Sequence, residues 1–191
     1  MSNIGFALTG SFCTFERAIE QMKNLTDAGH NVTPIMSYHA YNLDTKFGDA
    51  KDFIEKIESC CSCPVIHTIA QAEPIGPKKM FDVLLVEPCS GNTLAKLAAG
   101  IVDTPVLMAI KSHLRNARPV LIAVSTNDAL GNSAKNIGAL LNMKHVYFIP
   151  MGQDDMYRKP RSIVADFDMT EHALNAALEG VQLQPIIKMY D

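Results

Sequence analysis

The sequence predicts an α/β fold: a three-layer, doubly wound parallel sheet of Rossmann-like type with about six strands. Short apolar runs alternate with amphipathic helical patterns along the 191 residues, as is typical of a parallel sheet covered by helices. The apolar runs are continuous, as expected of strands buried on both faces. No repeat, linker or low-complexity segment interrupts this alternation, so residues 1–191 are predicted to form a single domain.

Four of the predicted strands fall in the first half of the chain, over residues 4–8, 31–36, 65–69 and 83–87. A helix is predicted over residues 14–28, because apolar side chains recur there at helical spacing, and Gly29 is suited to end it. A second helix is predicted over residues 47–58 on the same grounds. The prolines and the glycine of residues 72–77 predict a loop.

The second half of the chain continues the alternation, with strands predicted over residues 119–124 and 146–149. Helices are predicted over residues 92–101, 106–115, 134–141 and about 170–179. Residues 150–168 are polar and rich in turn-forming residues. Two interpretations of this segment stay open: a lid that closes over a ligand, or a solvated loop or interface segment.

Composition limits the classes of partner. Hydrophobic residues make up 48% of the chain, charged residues 19%, and the formal net charge is −3. Because no basic stretch or acidic tail is present, neither nucleic acid nor an anionic membrane is expected as a partner. The first residues lack the pattern of a signal peptide, and no apolar run approaches the roughly 20 residues of a spanning helix. A cytoplasmic protein is expected.

The cysteines do not predict a metal site. Cys60, Cys61 and Cys63 cluster, but no second ligand pair follows at zinc-site spacing, and the nearest histidine, His67, stands alone. The total of five is odd, which argues against a disulfide framework. We expect small, buried residues at a helix end and a strand start, and no bound metal.

Two loops at the predicted ligand-binding edge of the sheet carry small polar residues. After the first strand, Gly10 permits a tight turn and Ser11 offers a hydroxyl group; the loop is not the G-x-G-x-x-G fingerprint, which disfavours a plain NAD domain. After the strand at residues 83–87, Ser90, Asn92 and Thr93 lead into a helix whose N-terminus attracts anions. A phosphate or carboxylate site is predicted; the open alternative for the second loop is an ordinary turn in which Ser90 caps the helix.

The segment Pro88-Cys89-Ser90-Gly91-Asn92-Thr93 resembles the Pro-Ala-Ser-Ala-Asn-Thr loop of the homo-oligomeric flavoproteins. This family includes phosphopantothenoylcysteine decarboxylase and the prenyl-FMN synthesising enzymes, and in it the loop contacts FMN. The glycine-serine loop after the first strand is similar to its counterpart there. Cys89 and Gly91 replace the two alanines, and both are small. The resemblance implies an FMN site that includes Gly10, Ser11, Phe12, Pro88, Cys89, Ser90, Asn92 and Thr93.

Two further loops at the same edge add candidate residues. Ser37 follows the second strand and is a candidate to bind the phosphate or the flavin ring. His39 is a candidate acid or base, with a loop histidine that caps a helix or faces water as the alternative. Ser125, Thr126 and Asn127 follow the strand at residues 119–124 and complete the predicted cofactor site. Decarboxylating members of the resembled family carry Pro-x-Met-Asn-x-x-Met-Trp here. This chain keeps Asn127 at most and has no tryptophan, which puts decarboxylation in doubt.

Cations in the segment of residues 150–168 are candidates for substrate binding. Arg158, Lys159 and Arg161 form a cluster that a lid would bring over the strand ends. Arginine binds carboxylates through two parallel hydrogen bonds. Arg158 and Arg161 are therefore predicted to hold a substrate carboxylate.

Along its whole length the chain resembles the family of dipicolinate synthase B subunits from spore-forming bacteria, in residues 5–13, 88–97 and 150–155 above all. The resemblance implies oxidation of a dihydrodipicolinate-type lysine-pathway intermediate to dipicolinic acid during sporulation, in the cytoplasm of the mother cell. It also implies a partner, the A subunit, that carries NAD(P). An FMN-dependent decarboxylase of the phosphopantothenoylcysteine type and a non-catalytic partner of the A subunit remain as alternatives.

Assembly is predicted from two helices. Residues 94–101 and 106–114 carry more apolar surface than one sheet face can cover. Flavoproteins of the resembled family form trimers or multiples of trimers. A homo-oligomer of this kind is therefore expected.

Overall fold

The centre of the structure, a computed structural model that describes residues 1–188, is a sheet of seven strands. Four of them are parallel neighbours in the order β2-β1-β3-β4: β1 (Asn3–Leu8), β2 (Asn31–Met36), β3 (Val83–Cys89) and β4 (Val120–Thr126). All seven residues of β3 and six of seven in β4 are buried, so helices cover both faces there. The predicted fold class is confirmed, and residues 189–191 of the predicted domain lie outside the described part.

Strand β4 has two different neighbours along one edge. β5 (Val146–Phe148) pairs in parallel with its first half, at Val120–Ile122. β7 (Ile163–Ala165) pairs antiparallel with its last residues, Ser125 and Thr126, and β6 (Met151–Gly152) pairs with β7. Residues 150–168, predicted to be a polar segment, therefore contain a short antiparallel hairpin that holds the loop of residues 153–162 at the carboxyl end of the sheet.

Eight α-helices flank the sheet in the described residues: α1 (Phe15–Asp27), α2 (Tyr38–Asn42), α3 (Ala50–Cys61), α4 (Ile69–Ala72), α5 (Gly91–Ala98), α6 (Pro105–Leu114), α7 (Ala134–Leu141) and α8 (Thr170–Leu178). Helix α1 packs on the central strands and against α3, with Phe15, Ala18 and Met22 buried. A 3₁₀ turn at Phe167–Met169 precedes α8 and contacts α1. This contact brings the chain after β7 back to the site.

The strand predicted over residues 65–69 is wrong. Only one bridge, between Ile35 and Ile66, joins this segment to the sheet. A capping box explains the early departure: the Thr68 hydroxyl accepts a hydrogen bond from the Gln71 N–H (3.2 Å), and Gln71 Oε1 accepts from the Thr68 N–H (3.0 Å). Helix α4 therefore begins at Ile69 where the sheet edge would continue.

Other elements of the same chain bury more of helix α6 than its sequence pattern predicted. Val106, Leu107, Ala109 and Ile110 are at most 1% exposed, because α4 and the turn at Glu73–Ile75 pack on α6 in addition to the sheet. The apolar excess that predicted an assembly surface is thus largely used inside the chain. Ile101, after α5, remains 46% exposed.

None of the helices in residues 1–188 is long and apolar enough to cross a bilayer. Within the same residues, no group of three or more His, Cys, Asp or Glu side chains is arranged to hold a metal ion. All five cysteines are free thiols.

Candidate ligand-binding site

A cavity of about 790 Å³ lies at the carboxyl ends of β1, β3 and β4. Its walls are the loops of residues 10–14, 90–91 and 125–128, and further side chains come from Arg17, Lys46, Phe47, Asp154, Lys159 and Val164. The volume lies within the range of small-molecule pockets, and this edge of a doubly wound sheet is where ligands bind. The loops from which the sequence predicted a ligand site lie at this same edge.

A buried threonine ties the first two loops together. The Thr9 hydroxyl donates a hydrogen bond to the Pro88 carbonyl (2.8 Å) and accepts one from the Ser90 N–H (2.9 Å). The Thr9 N–H also donates to the Pro88 carbonyl. Because Thr9 is fully buried, these bonds set the two loops at a fixed separation.

Hydroxyl groups join the first loop to the third. Ser11 Oγ donates to the Ser125 carbonyl (2.6 Å), and Thr14 Oγ1 donates to the Ser11 carbonyl (2.9 Å) while lying 3.3 Å from Ser125 Oγ. The Ser11 hydrogen is therefore already used within the protein. What these loops offer to an anion is mainly their backbone N–H groups.

Several backbone donors at the cavity have no acceptor among the described residues: the N–H groups of Gly10, Phe12, Cys13 and Gly91, and that of Asn92 in the first turn of α5. Ser90 satisfies one further donor, because its hydroxyl accepts a weak bond from the Thr93 N–H (3.4 Å). Unpaired N–H groups at a helix start attract anions through their partial positive charge. The arrangement suits a phosphate group.

Gly91 is required by a close approach between loops. A Cβ at this position would lie 2.7 Å from Thr126 Oγ1 and 2.9 Å from Asp128 Oδ1. The Thr126 and Ser133 hydroxyls donate to the same Asp128 oxygen, at 2.6 and 2.9 Å, and these bonds lower the pKa of Asp128. An alanine would press on this hydrogen-bonded group, which explains why glycine stands here.

Three cations line the cavity: Arg17, Lys46 and Lys159. Lys159 is paired with Asp154 at 3.0 Å. Burial acts to raise the pKa of Asp154, but hydrogen bonds from Ser162 and Lys159 outweigh it, and the pKa is lowered. Arg17 and Lys46 were not predicted from the sequence. The position of Arg17, in the first turn of the helix after the Gly10-Ser11 loop, is the signal that would have found it.

A buried carboxyl group lies behind the second loop. Glu87, at 0% exposure, accepts a hydrogen bond from Thr170 Oγ1, which lies 3.0 Å from one carboxyl oxygen and 3.2 Å from the other. Burial raises the pKa of Glu87 well above its usual range, while the Thr170 bond and the Arg17 charge act in the opposite direction. Glu87 is not part of the cavity wall.

Of the twelve predicted cofactor residues, seven line the cavity, and the other five, Ser37 among them, do not. The seven are Gly10, Ser11, Phe12, Ser90, Ser125, Thr126 and Asn127. Asn92 is exposed at the first turn of α5, whereas Pro88, Cys89 and Thr93 are buried under the loop. Burial raises the pKa of the Cys89 thiol, so this group stays protonated.

The remaining predicted residues lie outside the cavity wall. Ser37 is buried and caps α2, accepting from the Ala40 N–H at 3.4 Å, and His39 is exposed on α2. Arg158 and Arg161 are exposed, in and directly after the turn closed by Asp155. Lys159 is the cation of this segment that the structure brings to the cavity.

The family model for flavoproteins matches residues 1–171. The B subunit of dipicolinate synthase from Bacillus subtilis (strain 168) is 42% identical over 184 residues, which cover 96% of this chain and 92% of that protein. The crystal structure of the dipicolinate synthase B subunit from Bacillus halodurans C is similar, with a TM-score of 0.91 and 40% identity over 100% of this chain and 97% of that one. The FMN-dependent cysteine decarboxylase SpaF shares the fold, with a TM-score of 0.69 at 18% identity over 93% and 95% of the two chains.

Proposed function

Because this chain belongs to the flavoprotein family, we propose that its cavity binds FMN and that it acts as the B subunit in dipicolinate synthesis. The reaction removes two electrons and two protons from a dihydrodipicolinate-type ring and leaves dipicolinic acid. When bound, the flavin supplies a two-electron acceptor. The A subunit, which carries NAD(P), is the proposed partner.

The observation that carries the proposal is the set of unpaired N–H groups where the loops after β1 and β3 meet. Gly10, Phe12 and Cys13 supply donors from one loop, and Gly91 and Asn92 supply them from the other. A phosphate dianion needs several donors at once, and a neutral ligand would leave them unsatisfied. The aromatic rings of the cavity wall and the polar atoms of residues 125–127 fit a ligand that is flat, apolar on its faces and polar at its edges.

The substrate side of the site is proposed from its charges. Lys159 lines the cavity, and Arg158 and Arg161 extend the positive charge of the same segment. These cations suit a dicarboxylate. His39, which lies on α2 outside the cavity wall but on the helix that follows β2, stays the proposed group that moves a proton.

The first test compares FMN with riboflavin, which lacks the phosphate. Quenching of flavin fluorescence by the protein gives both affinities. FMN is expected to bind at least about tenfold more tightly, because hydrogen bonds to a charged group contribute roughly 1.5 to 3 kcal/mol each. Equal affinities would place the phosphate outside the N–H groups, and no binding of either flavin would reject the cofactor.

A variant locates the phosphate more closely. Asn92→Ala keeps the backbone N–H groups but removes a side-chain amide donor beside those of Gly91 and Asn92, so it is expected to weaken FMN binding, with little change for riboflavin. Asn24→Ala, an exposed site far along α1, is the matched control and leaves both affinities unchanged. Equal effects of the two variants would contradict the placement.

Turnover is tested with the A subunit present. Dipicolinate formation is expected to require both proteins and to fall in Asn92→Ala in proportion to the lost FMN. If this variant, measured below FMN saturation, supports full turnover, the chain is a non-catalytic partner of the A subunit. Release of carbon dioxide from a carboxylated thiol would instead support the decarboxylase alternative.

A further inference from the structure

Arg17 is an exposed residue whose guanidinium lies at the cavity and forms no hydrogen bond or ion pair with the described residues. Arg17 lines the wall, and no carboxylate of residues 1–188 lies within ion-pair distance of it. We propose that Arg17 binds a carboxylate of the dicarboxylic substrate and that the ring of Phe167 holds its guanidinium ready for that contact. This inference rests on the proposed function for the identity of the ligand.

Phe167 supplies a rigid platform. The carbon at the centre of the Arg17 guanidinium lies 4.9 Å from the centroid of the Phe167 ring, within the range of a cation–π contact. Phe167 is 0% exposed, so the ring cannot turn away without disrupting the core. A cation–π contact restrains the guanidinium but uses none of its N–H groups as hydrogen-bond donors to the protein.

The nearest acidic group does not satisfy Arg17. Glu87 is close enough to feel the charge of Arg17, yet its hydrogen bond comes from the Thr170 hydroxyl, and none joins it to the guanidinium. Its burial also favours the neutral acid. Because Glu87 forms no hydrogen bond or ion pair with Arg17, the positive charge of Arg17 is available to a ligand in the cavity.

The positions of the other donors at the cavity indicate that Arg17 binds a carboxylate and that the loops bind the phosphate. The unpaired N–H groups belong to residues 10–13 and 91–92, whereas Arg17 comes one helical turn later on α1. Lys159, already paired with Asp154, is less available for a second anion. The planar fork of donors on Arg17 matches one carboxylate of a dicarboxylate.

The test measures the binding of dipicolinate to the full chain by calorimetry, with and without saturating FMN. Arg17→Gln is expected to lower dipicolinate affinity roughly ten- to a hundredfold, because charge-assisted hydrogen bonds are lost. FMN and riboflavin affinities are expected to stay unchanged. Arg115→Gln, an exposed arginine after α6 at the opposite edge of the sheet, is the matched control and binds dipicolinate normally.

Three results would overturn the assignment. The first is an equal dipicolinate affinity in Arg17→Gln and wild type, and the second is no dipicolinate binding by wild type. The third is that Arg17→Gln loses affinity for FMN but not for riboflavin, which would place Arg17 at the phosphate. The titration without FMN separates the two proposals. If wild type binds no flavin while Arg17→Gln still loses dipicolinate, the cofactor proposal fails and the Arg17 assignment holds.

A separate experiment tests whether Phe167 positions the guanidinium of Arg17. Phe167→Leu keeps an apolar side chain but removes the ring face, and is expected to weaken dipicolinate binding with FMN binding retained. In the double variant Arg17→Gln/Phe167→Leu, the second change is expected to cost nothing further, because Phe167 acts through Arg17. Additive losses would contradict this role.

Discussion

Adding one methyl group at Gly91 is expected to disturb the site. Gly91→Ala would place its Cβ 2.7 Å from Thr126 Oγ1, so the loop or the Asp128 cluster must move. Overpacking of this kind costs about 1–3 kcal/mol. We expect urea unfolding to show that loss and FMN titration to show weaker binding.

The control for this substitution is Gly138→Ala. Gly138 lies in α7, and nothing surrounds its added Cβ within 4 Å. Alanine is the better helix former there, so stability should rise by roughly 0.5–1 kcal/mol. If both alanines stabilise the protein, the close approach at Gly91 is not a constraint.

His113 predicts how stability depends on pH. Burial lowers its pKa from 6.5 to about 4, and the ring lies 3.0 Å from the Pro119 carbonyl through Nε2. Between pH 6.5 and about 4, His113 is protonated in the unfolded chain but not in the folded chain. The free energy of unfolding therefore falls as the pH drops from about 6.5 toward 4. The contribution of His113 is up to about 3 kcal/mol.

The measurement is urea unfolding at several pH values for wild type and His113→Gln. The variant keeps a donor for the carbonyl but does not titrate. Its stability should fall less steeply in this window than that of wild type. Parallel pH curves would show that His113 is protonated with little penalty in the folded protein.

Arg17 shows why sequence reasoning found only part of the site. Loop residues such as Ser90 and Ser125 could be predicted because strand ends meet at one edge of a sheet. Cations were sought as a cluster, which led to Arg158 and Arg161. Arg17 lies outside that cluster, and its position in the first turn of the helix after the Gly10-Ser11 loop was not used; the ring of Phe167, on which its proposed role also depends, comes close only in the folded chain.

At the level of elements, the strands within the central sheet were predictable because burial on both faces imposes continuous apolar runs. Short elements were not. Strand β6 has two residues and β7 has three, too few for any period to show. The edge segment at residues 65–69 has a strand-like composition, but the capping box at Thr68 starts a helix there, and only Ile66 pairs with the sheet.

This capping box can be tested directly. Thr68→Ala removes the acceptor for the Gln71 N–H and should lower the free energy of unfolding by about 1 kcal/mol. Ser59→Ala, on the exposed side of α3, serves as the control and should be neutral. Chemical denaturation of the three proteins decides the matter. A loss no larger than that of the control would show that packing alone holds α4.

For the molecule as a whole, we expect a homo-oligomer, a trimer or a multiple of trimers. Ile101 is 46% exposed, and burial in an assembly would remove its apolar surface from water. Light scattering at micromolar concentration measures the mass. Ile101→Lys should lower the association constant if this surface is covered. A monomeric wild type would contradict the prediction.

Because β4 pairs with β5 and with β7 along one edge, its two partners join it at different times during synthesis. During synthesis, β1 to β5 can assemble while Ser125 and Thr126 still lack their partners, because β7 is made afterwards. At 5–20 residues per second the delay is on the order of seconds. Lys159, Val164 and Phe167 arrive only then. The nascent protein thus has the loops of the proposed phosphate site before it has the complete proposed carboxylate site. If FMN binds as proposed, it can therefore bind before the substrate can.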